Sequence, residues 1–272
     1  MNSKREYPFL LPIDFLIYKI LFNLNQKDVS RYILFSNNRS GSTLLMSTLE
    51  SHSKISLSGD GGEILNINNT FQNKKISKFE KIILRNFLPL SFTEKKCFRP
   101  KTKIIGFKIF PNHYSHIHKY FLNNRKYKKI ILERKNRLAM YTSKEVARKT
   151  KKWLKEKSVG SQTDSSSKNT AVEINLNRFE SYIKRVDKYY DQFSSIIKRD
   201  EVFYVTYKNL IEGKKEVIQK IVTFLGVENK NLVSNLEKQG SKNVLDHITN
   251  KSEVIEYCND IGHPEWTSQN SY

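Results

Sequence analysis

A short, fully apolar stretch, Tyr32-Ile33-Leu34-Phe35, runs into the polar turn Asn38-Arg39-Ser40-Gly41-Ser42-Thr43 and then into leucines at helical spacing, Leu44, Leu45 and Leu49. An apolar run with no alternation suits a strand buried on both faces, and such strands belong to parallel sheets. The pattern predicts a strand over 31–36 and a helix over 42–51. Strand, turn and helix in that order aim the first N–H groups of the helix at whatever lies above the turn. Those groups and the helix dipole attract anions. Gly41 permits close backbone approach, and Ser42 and Thr43 bring hydroxyls. Arg39 adds a planar, permanently charged fork that matches phosphate or sulfonate oxygens. The competing structural reading is a serine N-cap before an ordinary helix.

Further strands are predicted over 55–58, 103–110, 128–133 and 201–206, and helices over 114–122, 137–156, 173–198 and 217–225. Gly226 is placed to cap the last of these. A basic, partly helical stretch covers 73–87, and a helical piece covers 252–258. The small, polar segment 158–170 has no apolar period and reads as a mobile loop that gates an acceptor pocket. Strands alternating with helices predict an α/β fold, a central parallel sheet flanked by helices. With no linker or repeat in view, 31–272 reads as one domain. The preceding residues, 1–30, read as an apolar extension packing on it. Their core, 8–22, is too short to span a bilayer and is interrupted by Asp14 and Lys19. Peripheral membrane contact is the second reading of this segment.

The chain has 48 Lys+Arg against 27 Asp+Glu, a formal charge of +21, which favours anionic partners without choosing among them. Its two cysteines, Cys97 and Cys258, show neither a disulfide framework nor metal spacing, and point to a cytoplasmic setting. His113, His116 and His118 cluster without acidic or Cys neighbours, so they read as an exposed helix start and no metal site is expected.

The turn has Gly41-Ser42-Thr43 where a nucleotide triphosphatase would carry Gly-Lys-Ser/Thr. Without that lysine, magnesium-assisted phosphoryl transfer is disfavoured. A second constellation follows the 128–133 strand: Arg134 at the strand end, then Ser143 on the next helix, with Thr142 as its fallback. An arginine clamp and a nearby hydroxyl suit a second phosphate.

Taken with Leu44, Leu45, Leu49, Ser51-His52 and Gly62-Glu63, the first loop resembles the 5′-phosphosulfate loop of sulfotransferases that use 3′-phosphoadenylyl sulfate. The branch it resembles most is the bacterial glycan-modifying one, which includes nodulation-factor and trehalose sulfotransferases. Arg134 and Ser143 resemble that family's 3′-phosphate signature. Ile105-Gly106-Phe107-Lys108-Ile109, Tyr204-Val205-Thr206-Tyr207 with Phe224-Leu225-Gly226-Val227, and Asp246-His247-Ile248-Thr249-Asn250 resemble its later segments. Lys208-Asn209 stands where Glu-Asp is usual. The resemblance spans roughly 31–254 and implies a single P-loop-like sulfotransferase domain.

It also implies roles. Arg39, Ser40, Gly41, Ser42, Thr43 and Leu44 would hold the phosphosulfate, while Arg134, Ser143 and Lys242 would hold the 3′-phosphate. Glu63 would be the general base, with His52 a structural rival, and Lys108 would steady the leaving group with Arg39. The co-substrate would be 3′-phosphoadenylyl sulfate, its product adenosine 3′,5′-bisphosphate. The acceptor would be a small-molecule or glycan hydroxyl, carried by a carbohydrate or glycolipid. Two other classes compete: a nucleoside or small-molecule kinase with a degenerate P-loop, and a basic nucleic-acid-binding protein. The second lacks any base-reading or stacking motif, so no specific nucleic-acid partner is expected.

Overall fold

A computed structural model describes residues 11–24, 29–57, 102–113, 115–151, 171–228, 232 and 243–268. Helix α1 (Leu11–Leu24) precedes β1 (Ser30–Ser36), α2 (Ser42–Glu50) and β2 (Ile55–Leu57). Then come β3 (Ile104–Ile109), α3 (Ser115–Asn123), β4 (Lys128–Glu133), α4 (Arg137–Thr150) and α5 (Leu176–Asp191). The chain continues through β5 (Val202–Thr206), α6 (Tyr207–Glu212) and α7 (Lys214–Leu225). It closes with α8 (Lys251–Asp260) between two single 3-10 turns, Val244–His247 and Pro264–Thr267.

The five strands form one parallel sheet in the order β2-β3-β1-β4-β5. The α/β architecture, with a central parallel sheet flanked by helices, is the one the alternation of elements predicts. β1 is the central strand, and every residue of it after Ser30 is buried. Tyr32 and Leu34 join Leu45, Met46 and Leu49 of α2 and Ile218, Ile221, Val222 and Leu225 of α7 on one face. Ile33 and Phe35 join Ile117 and Phe121 of α3, Leu138 of α4 and Phe179 of α5 on the other. Gly106 of β3 makes room for this packing: a Cβ there would lie 2.1 Å from the Tyr32 ring.

Several boundaries differ from expectation, each for a local reason. α4 stops at Thr150 rather than 156 because Lys151 takes a left-handed conformation, φ 57°. α5 starts at Leu176 rather than 173. Val172 is drawn into a parallel bridge with Ile248, and Asn175 caps the helix by accepting from the Arg178 N–H. Gly213 divides the stretch after β5 into α6 and α7, and Gly226 caps α7 with φ 86°. His113 and His118 do not mark an exposed helix start. Both are buried around Phe110, whose N–H donates to His113 Nδ1 at 3.2 Å and whose carbonyl lies 2.7 Å from His118 Nε2.

In α1, Asp14 and Tyr18 are buried; the Tyr18 hydroxyl meets that of Tyr127, and Phe15 packs on Tyr120. Cys258 is a buried free thiol that burial pushes up to about 11, away from thiolate reactivity. No helix among the described residues is long and apolar enough to cross a membrane.

Candidate functional site

In an open parallel sheet, ligands settle outside the carboxyl ends of the strands, where connections diverge to opposite sides. Here β1 connects towards β2 on one side and β4 towards β5 on the other, so the divergence lies between the neighbours β1 and β4. The two sequence constellations leave the carboxyl ends of these two strands.

The turn after β1 is built on its own backbone. The Ser40 N–H and hydroxyl both donate to the Asn37 carbonyl, at 3.3 and 2.7 Å, so the Ser40 hydroxyl is used inside the turn. Arg39 is held at φ 66° and Gly41 at φ 91°. A left-handed arginine is uncommon, and such strain concentrates at functional sites. Gly41 is required twice over: by its φ, and because a Cβ would lie 2.5 Å from the Tyr207 ring. Gly41, and not a serine, is the N-cap of α2, with no side-chain cap bond. The first turn of α2 therefore presents its N–H groups without a side chain satisfying them. Ser42 is buried, while Thr43 and Leu44 are partly exposed in that first turn.

The two constellations meet. Arg39 Nε donates to Ser143 Oγ at 2.9 Å, and Arg134 Nη1 donates to the Arg39 carbonyl at 3.4 Å. Arg134 lies over the Tyr207 ring, 4.6 Å from its centre. Lys108 is not a surface charge: it is buried in β3, and its Nζ donates to Thr43 Oγ1 at 3.1 Å. Three cations from three strand ends thus gather at one loop. Burial works against the charged forms of both arginines, and the Arg39 guanidinium further disfavours the charge on Arg134. The groups that act on Arg134 besides burial are Tyr207, Arg39 and Tyr182, none of them a carboxylate.

Unpaired polar atoms mark the same place. Arg134 Nε, Thr142 Oγ1 and the Tyr182 hydroxyl are buried without a hydrogen-bond partner. Such groups are costly unless something satisfies them. An anion lying against Arg134 is what this donor set accommodates.

Supporting residues fix the spacing. The Tyr190 hydroxyl accepts from the Asn37 N–H at 3.1 Å and donates to the Leu132 carbonyl at 2.8 Å, which ties the ends of β1 and β4. Arg137 bonds Glu133 at 2.6 Å, Asp187 at 2.9 Å and the Arg134 carbonyl at 2.5 Å. Burial alone would raise the Glu133 pKa. Hydrogen bonds from Lys135, Tyr204 and Arg137 outweigh it and hold the carboxyl below its ordinary value.

Of the residues the sequence singles out, Arg39, Ser40, Gly41, Ser42, Thr43, Leu44, Lys108, Arg134 and Ser143 lie along this crevice or its loop. Glu63, Lys242 and segment 158–170 lie outside the described residues. His52 stands apart from the crevice. It accepts from the Lys54 N–H on Nδ1 at 3.1 Å, and its Nε2 lies 3.0 Å from the Glu228 carbonyl. Sequence reasoning missed Tyr207, Tyr182 and Tyr190. Tyr207 follows the carboxyl end of β5 directly, a position the strand-end rule flags. The other two looked like core residues of a helix face. No group of three or more potential metal ligands gathers among the described residues.

Fold and site define an α/β protein with a cationic crevice at the divergence point of its sheet. No family model matches the chain, and no curated protein matches it significantly. Among solved structures, it is similar to a sulfotransferase from Alicyclobacillus acidocaldarius at 12% identity and TM-score 0.46, over 87% of this chain and 95% of that one. It is also similar to a mouse sulfotransferase complexed with PAP, at 13% identity and TM-score 0.44, over 79% and 64%. The sulfotransferase domain from the curacin biosynthetic pathway is similar at 14% identity and TM-score 0.42, over 75% and 76%.

Proposed function

We propose that the protein is a sulfotransferase that moves the sulfuryl group of 3′-phosphoadenylyl sulfate to a hydroxyl acceptor. The observation that carries this reading is the hydrogen bond from Arg39 to Ser143. The bond joins, in one crevice, the two motifs that resemble the phosphosulfate and 3′-phosphate signatures. The buried, unpaired Arg134 Nε and Thr142 Oγ1 fit a second anionic group beside the first.

When bound, the co-substrate supplies an activated sulfuryl group on an in-line path. The acceptor hydroxyl gives up its proton, its oxygen bonds to sulfur, and the bond from sulfur to the bridging oxygen breaks. The electron pair leaves on adenosine 3′,5′-bisphosphate. Residues of this chain take the complementary parts. The N–H groups at the start of α2 and the Arg39 guanidinium hold the phosphosulfate end. Lys108, fixed against Thr43, faces the negative charge that builds on the bridging oxygen. Arg134, with Thr142 or Ser143, holds the 3′-phosphate, and Lys242 adds a further positive charge for it. Glu63 accepts the proton. The acceptor class proposed is a carbohydrate or glycolipid hydroxyl, following the branch the motifs resemble.

Isothermal titration with adenosine 3′,5′-bisphosphate tests the reading. The wild-type protein binds it, and Arg39→Ala weakens binding at least about tenfold, the scale of one charge-assisted contact. No binding by the wild type overturns the proposal. Glu63→Gln keeps nucleotide affinity and loses turnover, measured by mass spectrometry of candidate acceptors with labelled donor. Full turnover would remove Glu63 from the base role.

A further inference from the structure

α1 buries Asp14 and Tyr18 against the domain and turns large aliphatic side chains the other way. Ile13, Leu16 and Ile20 are 47%, 60% and 51% exposed and recur at spacings of three and four residues, which puts them on one stripe. The side chains that pack with α1, Tyr120, Phe121 and Tyr127, belong to α3 and the turn that follows it.

Charge on these elements is one-sided. Lys19 on α1, Lys119 on α3, and Arg125 and Lys126 in the turn are all exposed. The acid of α1, Asp14, is fully buried and 3.7 Å from His116 Nε2. Residues 115–127 contain no acid. A second copy of the chain would be a poor occupant of the stripe, because docking would set these cations against their own kind. An anionic bilayer suits both features: the stripe enters the interface and the lysines and arginine meet lipid phosphates.

We propose that α1 is a peripheral membrane contact selective for anionic phospholipid. This is independent of the sulfuryl-transfer reading. The test is co-sedimentation of the full chain with phosphatidylcholine vesicles and with vesicles of phosphatidylcholine and phosphatidylglycerol in equal parts. The protein pellets with the mixed vesicles, only weakly with phosphatidylcholine alone, and is released by salt. Leu16→Ser lowers the partition coefficient about tenfold, since an interfacial leucine contributes on that scale. Because Leu16 is more than half exposed, this variant keeps its fold, which the far-ultraviolet circular dichroism spectrum verifies. Lys19→Glu combined with Lys119→Glu lowers binding to the mixed vesicles and leaves the weak phosphatidylcholine binding in place. The proposal is overturned if the wild type stays in the supernatant with mixed vesicles, or if Leu16→Ser binds as the wild type does. It is equally overturned if light scattering finds a dimer that Leu16→Ser dissociates.

Discussion

Thr142 and Ser143 are adjacent on α4 and hold different positions in the hydrogen-bond network. Ser143 accepts from Arg39, whereas the Thr142 hydroxyl is buried and unpaired. A buried hydroxyl without a partner destabilises the free protein, and it becomes useful only when something accepts from it. Thr142→Val should therefore leave the free protein as stable as before, or more stable by up to about 1 kcal/mol, while weakening the adenosine 3′,5′-bisphosphate binding proposed above. Thermal melting with and without the nucleotide reads both effects. A variant that loses stability and keeps affinity would show the hydroxyl to be structural. Gly41 gives the opposite signature. Gly41→Ala must adopt φ 91° with a methyl group against Tyr207, so roughly 1–2 kcal/mol of stability is lost together with binding. Arg39, Gly41 and Arg134 were legible from sequence because their chemistry is local to a turn or strand end. Tyr182 and Tyr190 were not: nothing in a tyrosine on an apolar helix face says that its hydroxyl stands by Arg134, as that of Tyr182 does, or reaches a strand end more than fifty residues away, as that of Tyr190 does.

At the scale of elements, β1 and β4 were readable almost to the residue, because a buried central strand is a continuous apolar run with polar ends. The ends of α4 and α5 were not. Lysine and glutamate favour helix on both sides of Lys151, and only its left-handed backbone reveals the stop. Pairing of Val172 with Ile248 depends on a segment far along the chain. The junction of β3 and α3 carries a pH-dependent feature that the sequence did not disclose. His118 is buried, and burial pushes its imidazole from 6.5 down to about 4. The unfolded chain takes up a proton near the ordinary value that the folded chain refuses until about 4. Stability is thus whole above the ordinary value and falls as pH drops through that window, by about 3 kcal/mol in all. Urea unfolding between neutral pH and about pH 4 should show this slope, and His118→Gln should flatten it.

For the molecule as a whole, strand order was beyond the sequence reading. Any parallel arrangement satisfies the same alternation of elements, and only tertiary packing sets β1 between β3 and β4. The C-terminal region is part of that packing. Val244, Ile248, Val254, Cys258 and Trp266 belong to the core on the α5 face. The Trp266 carbonyl accepts from Asn136 Nδ2 at 3.0 Å, beside the N-terminus of α4. Trp266→Ala should cost about 3–5 kcal/mol, measured by denaturant unfolding. The charge of +21 acts over the whole surface as self-repulsion. Raising salt from low to moderate ionic strength should therefore raise the melting temperature, and a melting temperature that falls would contradict it.

Ser143 has a further chemical consequence. A hydroxyl has one proton to give and two lone pairs. The bond from Arg39 occupies a lone pair and draws electron density from the oxygen, which makes the remaining proton a stronger donor. Ser143 thereby passes the polarising effect of Arg39 onward, beyond the reach of the guanidinium itself. An incoming anion that accepts from Ser143 is held by a relay, and exchange of serine for alanine would break two links of it at once.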